Sequence, residues 1–458
     1  MAMGGIGLIL PNPNDCQKEN FHMDELKNKT VCVYDHGAFF HVTQRLSRDF
    51  GRTLFFKPWK KSNPVFTDMA VGTGFENIER VVDFFDIIDE VDLFVFPGLY
   101  NADLQIYLES KGRRVWGSRR GEDFEFKRQF FKDTLKRLGL PVPEYVVLEG
   151  MTKLVEYLKE NENVFVKISR FRGDGETWHH INYKLSESRL DGMRFYYGPF
   201  KEKITFVVEH EIKSDIEAAY DGFSVDGKFP DLGIHGYEAK DRAYVGTLQP
   251  YDEMPKAVIE VNEAFAPLLA KEKYRSAWGT EIRIDDKGDN YFGDATCRTQ
   301  HPPGALFAEQ VTNYSQIMYY GADGELVQIE HDFDFAAELI LLTSGSDISF
   351  QALEIPKNVE PFVKLFSPCK HDGITYVCPE SKHPLMNQSD EIGSVVAMGD
   401  TMEEAIETVQ EFASQIKGAS LYYESDALAK CVKSIQSAKD EGMKMTDQAV
   451  PDPSSVVE

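Results

Sequence analysis

Two acidic residues, a hydroxyl and an arginine are spaced along one short segment, Gly279 to Arg298, GTEIRIDDKGDNYFGDATCR. The segment predicts a β-hairpin: Ile282, Ile284, Tyr291 and Phe292 are strand formers, and Asp285-Asp286-Lys287-Gly288-Asp289 supplies turn residues. With Lys287-Gly288 as a two-residue turn, Glu281 falls directly opposite Asp294. Like charges facing each other across a sheet repel, so this arrangement calls for a cation between them. Asp294, Thr296 and Arg298 follow at period two and project from one face, whereas Cys297 alternates to the opposite face as a core residue. Such a patch suits a Mg²⁺-nucleotide with a charged substrate beside it. The competing reading is an exposed hairpin with solvated charges.

A second chemical feature lies upstream. Lys167 sits on the apolar strand Asn163-Val-Phe-Val-Lys-Ile168, where a lysine is costly unless its ammonium meets an anion or reaches solvent. The loop that follows carries Gly173 and Gly175, flanked by Arg170 and Arg172. Glycine backbone N–H groups approach phosphate oxygens with no Cβ in the way, although the segment is not a Walker sequence and also reads as a plain flexible hairpin. His179-His180 reads as a surface pair, and His301-Pro302-Pro303-Gly304 as a rigid turn that lines an acceptor site or closes a strand. Phe55-Phe56, Phe84-Phe85 and Phe130-Phe131 read as packing residues.

The elements that must position these residues form several units. At 458 residues the chain should hold two to four domains. Thr30–Tyr34, Thr53–Phe56 and Val91–Phe96 are apolar strands alternating with helical stretches, which gives residues 29–118 a small α/β domain with a parallel sheet. Its ligand-facing loops are Asp35-His36-Gly37 and Pro97-Gly98-Leu99-Tyr100. An amphipathic helix from Phe124 to Leu138 ends at Gly139 and Pro141, and a further helix spans Lys153 to Asn161. Residues 119–200 and 201–330 then form two lobes, 331–436 a C-terminal α+β region, and 437–458, ending in Pro-Asp-Pro-Ser-Ser, a disordered tail.

A net charge of −25 argues against general nucleic-acid or anionic-membrane binding. The six cysteines form no CxxC pair, which favours free thiols in a reducing compartment over a zinc site or disulfide framework. No signal peptide or membrane span is expected, so the expected location is the cytoplasm.

The order of elements carries more than any one motif. A helix ending in GLPVPEY is followed by the strand with Lys167 and its glycine loop, then by Phe206-Val-Val-Glu-His-Glu-Ile-Lys-Ser-Asp-Ile-Glu217, then by the acidic hairpin. This set resembles the ATP-grasp superfamily, and within it the phosphoribosylamine–glycine ligases and biotin carboxylases. The resemblance covers about residues 30–430 and includes Gly393 to Ala405 as the closing strand and helix. It implies a Rossmann-like pre-ATP-grasp domain, a two-lobed ATP-grasp core and a small C-terminal α+β region, an α/β and α+β multidomain fold.

The resemblance also implies roles. Lys167 would contact the α- and β-phosphates of ATP, and Arg128 would stand where the family has a second phosphate-binding lysine. Gly173 and Gly175 would lie in the loop over the phosphates. Glu209 to Ile212, with Glu211 between them, would form the hinge that reads the adenine edge, and Glu217 would bind the ribose. Glu281 and Asp294, with Thr296, would hold Mg²⁺ or Mn²⁺, and Arg298 would stabilise an acyl phosphate or the departing phosphoryl group. The family's Glu-x-Asn-x-Arg is Asp294-Ala295-Thr296-Cys297-Arg298 here.

The implied activity is an ATP-dependent carboxylate–amine ligase acting on small-molecule carboxylate and amine substrates, possible as a homodimer. Two other readings share these residues: an ATP-binding regulatory protein with weakened chemistry, and an ATP-grasp phosphotransferase or carboxylase.

Overall fold

The computed structural model describes residues 25–59, 66–169, 177–212, 216–285, 287–344, 349–379, 390–445 and 448–456. The glycine loop with Gly173 and Gly175 lies outside the described residues, as do Arg170 and Arg172.

Strands β1 (Thr30–Tyr34), β2 (Arg52–Phe56), β3 (Ile78–Val81), β4 (Leu93–Val95) and β5 (Arg114–Trp116) form a parallel sheet in the order β3-β2-β1-β4-β5. Val31, Val33, Leu93 and Val95 pack into one core, whereas Cys32, Leu54 and Phe94 pack into another. Burial on both faces explains why these strands read as continuous apolar runs. The loop after β1 is held by Asp35, whose Oδ2 accepts from the backbone N–H groups of Gly37 at 2.8 Å and Phe39 at 3.0 Å.

Strands β6 (Tyr145–Glu149), β7 (Val164–Ile168), β8 (Thr177–His180) and β9 (Thr205–His210) form a second sheet in the order β6-β9-β7-β8. Helices Met151–Glu160 and Tyr183–Tyr197 close its core through Leu154, Leu158 and Leu190. A lobe boundary at residue 200 would cut β9 from this sheet, so the expected division at 200/201 falls too early.

The largest sheet has nine strands. Along its length run β14 (Asn290–Thr296), β13 (Arg275–Ile284), β10 (Ile216–Val225), β11 (Leu232–Ala239), β12 (Ala243–Pro250), β15 (Phe335–Thr343), β20 (Glu391–Gly399) and β17 (Val363–Leu365), with β22 (Leu421–Tyr422) beside β15. A smaller sheet joins β18 (Pro368–His371), β19 (Ile374–Val377), β16 (Gln351–Glu354) and β21 (Lys417–Gly418). Because β12 pairs with β15, the large sheet runs through the expected boundary at 330/331, and the C-terminal region shares a sheet with the hairpin.

Helices cover one face of the large sheet. Lys256–Lys271 packs Val258, Val261 and Phe265 on Trp278, Ile282 and Phe292, and Met402–Gln415 and Ala427–Asp440 cover Ala243, Val245 and Leu339. The opposite face carries Glu217, Asp221, Glu281 and Asp294, as the pairing registers require. The expected disordered tail also changes. Ala427–Asp440 is helical, and Met445 and Val456 are buried in the core beneath it. Their apolar contacts outweigh the polar, proline-containing composition that suggested disorder. Among the described residues no helix is long and apolar enough to cross a membrane.

Candidate active site

The hairpin is present, and Glu281 does pair with Asp294, but the turn differs from the expected one. The outer rungs are Ile284 with Asn290, Arg283 with Tyr291 and Ile282 with Phe292, one residue out of step with the Glu281–Asp294 rung. Asp289 O accepts from the Asp285 N–H at 3.1 Å, so the loop is one residue longer than two. The register shift between Glu281 and Ile282 makes Gly293 the extra residue, and this bulge restores the pairing. Beyond it Ala295 and Cys297 turn into the core, leaving Asp294, Thr296 and Arg298 half-buried on the other face.

A buried cluster of cations faces Asp294. Arg128 Nη1 donates to Asp294 Oδ1 at 2.7 Å, and Lys167 Nζ donates to Oδ2 at 3.0 Å. Lys132 Nζ pairs with Glu209 Oε2 at 3.1 Å, and Lys167 stands 3.6 Å from the same oxygen. Arg128 and Lys132 are one turn apart on the helix Arg128–Leu138, which turns Phe131 and Leu135 into the hairpin core and stops at Gly139 in the left-handed conformation. The expected helix from Phe124 is interrupted at Lys127, so Asp123–Phe126 forms a separate short turn.

Burial works against the charge of Lys167, but Asp294 and Glu209 outweigh it and raise its pKa. Burial wins at Lys132, whose pKa is lowered despite Glu209. Among the described residues Arg128, Lys132 and Lys167 thus meet Asp294, which is part-exposed, and the buried Glu209, whose Oε1 has no hydrogen-bond partner among them. Buried cations gathered in this way can receive an anion.

The remaining expected residues fall around this cluster. Glu209, one residue before the end of β9, turns its carboxylate toward the lysines. Glu211 and Ile212 do lie in the connection between the two sheets, with Glu211 Oε1 3.8 Å from His179 Nε2. Glu217 and Glu281 are linked through Arg283, whose Nη2 is 2.7 Å from Glu217 Oε2 and 3.7 Å from Glu281 Oε1. Burial and then the nearby Glu281 raise Glu217 to about 7. Thr296 sits opposite Gly279. Arg298 stands apart from the metal candidates: its Nε donates to Glu125 Oε1 at 3.0 Å and its Nη1 to the Thr299 carbonyl at 3.1 Å. Glu125 is itself fixed by the Cys297 N–H, which donates to Oε2 at 2.6 Å.

His180, read as a surface residue, is buried, its ring between Ser186 Oγ at 2.7 Å and the Leu158 carbonyl at 3.0 Å. Phe85 and Phe130, read as packing residues, are exposed, whereas Phe84 and Phe131 are buried. The residues that sequence reasoning missed are Lys132, Glu125, Arg283 and Asp221. Lys132 alone had a signal, its one-turn spacing from Arg128.

Asp221 supplies a pH prediction. Burial, and beyond it the nearby carboxylates of Glu238, Glu281 and Glu217, raise it to about 8, although a hydrogen bond from Tyr244 opposes the shift. Between its ordinary carboxylate range and about 8, the folded chain keeps a proton that the unfolded chain has released. Stability from this group is therefore full in acid and is lost as pH rises through about 8. The melting temperature should fall from pH 5 to pH 9, and Asp221→Asn should flatten that fall; an equally steep profile in the variant would disprove the assignment.

No protein-family model matches the chain, and no curated protein matches it in sequence. Solved structures match it in shape. Phosphoribosylamine–glycine ligase from Thermotoga maritima is similar at a TM-score of 0.63 and 15% identity, covering 86% of this chain and 98% of that one. The biotin carboxylase domain of 2-oxoglutarate carboxylase from Hydrogenobacter thermophilus, a structure with MgADP, is similar at 0.58 and 13%, covering 94% and 98%. L-amino acid ligase from Bacillus licheniformis is similar at 0.56 and 16%, covering 87% and 99%. The chain has the ATP-grasp fold that these proteins share.

Proposed function

We propose that this chain is an ATP-dependent carboxylate–amine ligase that makes an amide-type bond through an acyl phosphate. The observation that carries the reading is the buried Arg128, Lys132 and Lys167 cluster against Asp294, with Glu281 opposite it and Arg298 farther along the same strand face. A triphosphate suits that cluster of buried cations. Magnesium suits the site as an ion that arrives with phosphate. Mg²⁺ commonly takes one or two carboxylates and completes its shell with phosphate oxygens and water. Among the described residues no three His, Cys, Asp or Glu side chains converge to hold a metal ion alone.

In this reading Arg128, Lys132 and Lys167 bind phosphate oxygens, and Glu281, Asp294 and Thr296 would hold Mg²⁺, which would supply charge neutralisation at the transferring phosphoryl group. Glu217 serves the ribose, and Glu211 and Ile212, between the sheets, border the adenine. Arg298, held by Glu125 and the Thr299 carbonyl, keeps a fixed guanidinium face for the acyl phosphate.

The chemistry balances as two displacements. A carboxylate oxygen of the substrate bonds to the γ-phosphorus as ADP departs. The amine nitrogen then bonds to the carbonyl carbon as phosphate departs and the nitrogen gives up a proton. The first step is required because a bare carboxylate is a poor electrophile, and the protein's task is to align anions and balance their charge.

The test is ADP release from ATP and Mg²⁺ with fractionated carboxylate and amine pools, followed by mass spectrometry of the product. ADP release that requires both pools, with a product mass equal to acid plus amine less water, is expected. Phosphoryl transfer that ignores the amine pool, or no ADP release with any pool, would defeat the reading.

A further inference from the structure

A second acidic group lies on the same sheet face, beyond Glu217 and Glu281, and phosphate chemistry does not use it. Glu238 on β11 and Glu338 on β15 both lie directly opposite Tyr244 on β12, so all three share that face. The Tyr244 hydroxyl donates to Asp221 Oδ2 at 3.2 Å, which brings a third carboxylate to the same place. Two glycines make this reach possible. A Cβ would lie 2.6 Å from the Tyr244 ring at Gly236 and 2.7 Å from it at Gly246, so the ring lies flat across both positions. The carboxylates stand around it.

These acids are short of compensation. Glu338 is fully buried, and among the described residues neither of its carboxylate oxygens has a hydrogen-bond partner. Ser394 on β20 lies within electrostatic reach of it without completing a bond. Glu238 is better served, by the Asp241 N–H at 2.8 Å and the exposed Lys240 ammonium at 3.5 Å. His301 Nε2 lies 2.5 Å from Glu391 Oε1. Burial draws the His301 pKa down, but the Glu391 carboxylate, with Glu338 beyond it in effect, outweighs burial and sets it at about 9, while Arg298 opposes that rise. The acidic group also reaches the hairpin: a Cβ at Gly279 would lie 3.1 Å from Asp221 Oδ1 and 3.2 Å from Thr296 Cβ. Buried carboxylates without partners favour a bound cation. The group is too open for a metal ion, since no three such side chains among the described residues converge to hold one. A cation that spans wider gaps through several N–H donors suits it, and an ammonium is such a cation.

We propose that the amine substrate binds this acidic group as an ammonium, held by Asp221 and Glu238 beside Tyr244, with Glu338 adding negative charge, on the sheet face that carries Thr296 and Asp294. This rests on the ligase reading. Below about pH 8 the empty site keeps the Asp221 proton, and a bound ammonium displaces it; Glu238, Glu338 and the ionised Asp221 then hold the amine, while the carboxylate substrate goes to Arg298 and the phosphate cluster. The ammonium must lose a proton before its nitrogen attacks, and carboxylates that burial has made more basic are suited to receive it.

The test uses hydroxylamine, which is uncharged at neutral pH and traps an acyl phosphate as a hydroxamate, against a pool of amino acids as ammonium-bearing amines. With the carboxylate pool, ATP and Mg²⁺, the ratio of amide to hydroxamate should fall about tenfold or more in Asp221→Asn, the size of one lost charged hydrogen bond. Glu238→Gln, on a half-buried side chain, gives the same readout where Asp221→Asn fails to fold, and Glu338→Gln should lower the ratio less. A ratio that holds, or amide and hydroxamate that fall together, overturns the ammonium site while leaving the ligase reading intact. A wild-type protein that makes no hydroxamate overturns the ligase reading and this inference with it.

Discussion

Asp294→Asn is expected to lower turnover about a hundredfold and, in nucleotide-free protein, to lower stability by about 2 kcal/mol. The turnover loss follows from the proposed role, since an amide is a poor ligand for Mg²⁺. The stability loss follows from the ion pairs of Asp294. The Asp294 carboxylate ties Arg128 at 2.7 Å and Lys167 at 3.0 Å, side chains that are only 3% and 7% exposed. An amide leaves Lys167 with the Glu209 carboxylate and takes from Arg128 its 2.7 Å ion pair. The estimate sits below the usual cost of breaking a buried pair because Asp294 is itself 31% exposed and water softens the loss.

Glu281→Gln should separate the two effects. Glu281 is 47% exposed, with Arg283 3.7 Å away, so its loss should reduce Mg²⁺-dependent turnover and leave the melting curve nearly in place. The facing carboxylates alone suggest that either change would stabilise the protein by relieving repulsion. The cations reverse that sign at Asp294. A more stable Asp294→Asn, or wild-type turnover in either variant, would refute the assignment.

Sequence patterns carried this site as far as local periodicity reaches. Period two put Asp294, Thr296 and Arg298 on one face and Cys297 in the core, and the lone Lys167 on an apolar strand called for an anion or a path to solvent; it meets the Asp294 carboxylate. The Glu281–Asp294 rung was legible although the route to it was not. The loop is longer than a two-residue turn, and the bulge at Gly293 cancels the difference. A hydrophobic pattern does not encode two register errors that compensate.

Long-range pairing was not legible either. Glu125 meets Arg298 across 173 residues, an encounter set by how the turn Asp123–Phe126 docks beside β14 and not by any spacing in the chain. Lobe boundaries failed for a related reason. β9 and β15 are apolar strands in regions where loops and helices also lie, and only their partners show which sheet each one joins. Fold class was accessible because the order of strands and helices is a one-dimensional property, and the ATP-grasp fold is present.

Arg298→Ala is expected to cut product formation about a thousandfold while changing ATP affinity little, since a clamp on developing charge acts in the transition state more than on bound ATP. Calorimetry with ATP and Mg²⁺, beside kcat and KM, separates this from a structural role. One structural role is an internal ion pair with Asp294 and Glu281, but the hydrogen bonds of Arg298 go to Glu125 and the Thr299 carbonyl instead. The other is support of Glu125, whose side chain is 1% exposed and which would lose its guanidinium. Under that role Arg298→Ala lowers the melting temperature, and Arg298→Lys, which keeps a charge near Glu125, restores much of it. Under the catalytic role Arg298→Lys restores stability and not turnover, because a point charge cannot reproduce a planar fork. Glu125→Gln closes the argument. It leaves an oxygen for the Cys297 N–H and removes the charge that aims Arg298, so kcat should fall about tenfold with KM for ATP nearly constant. A Glu125→Gln enzyme with wild-type kcat would show that Arg298 needs no aiming. An Arg298→Ala enzyme with unimpaired product formation would remove it from the chemistry altogether.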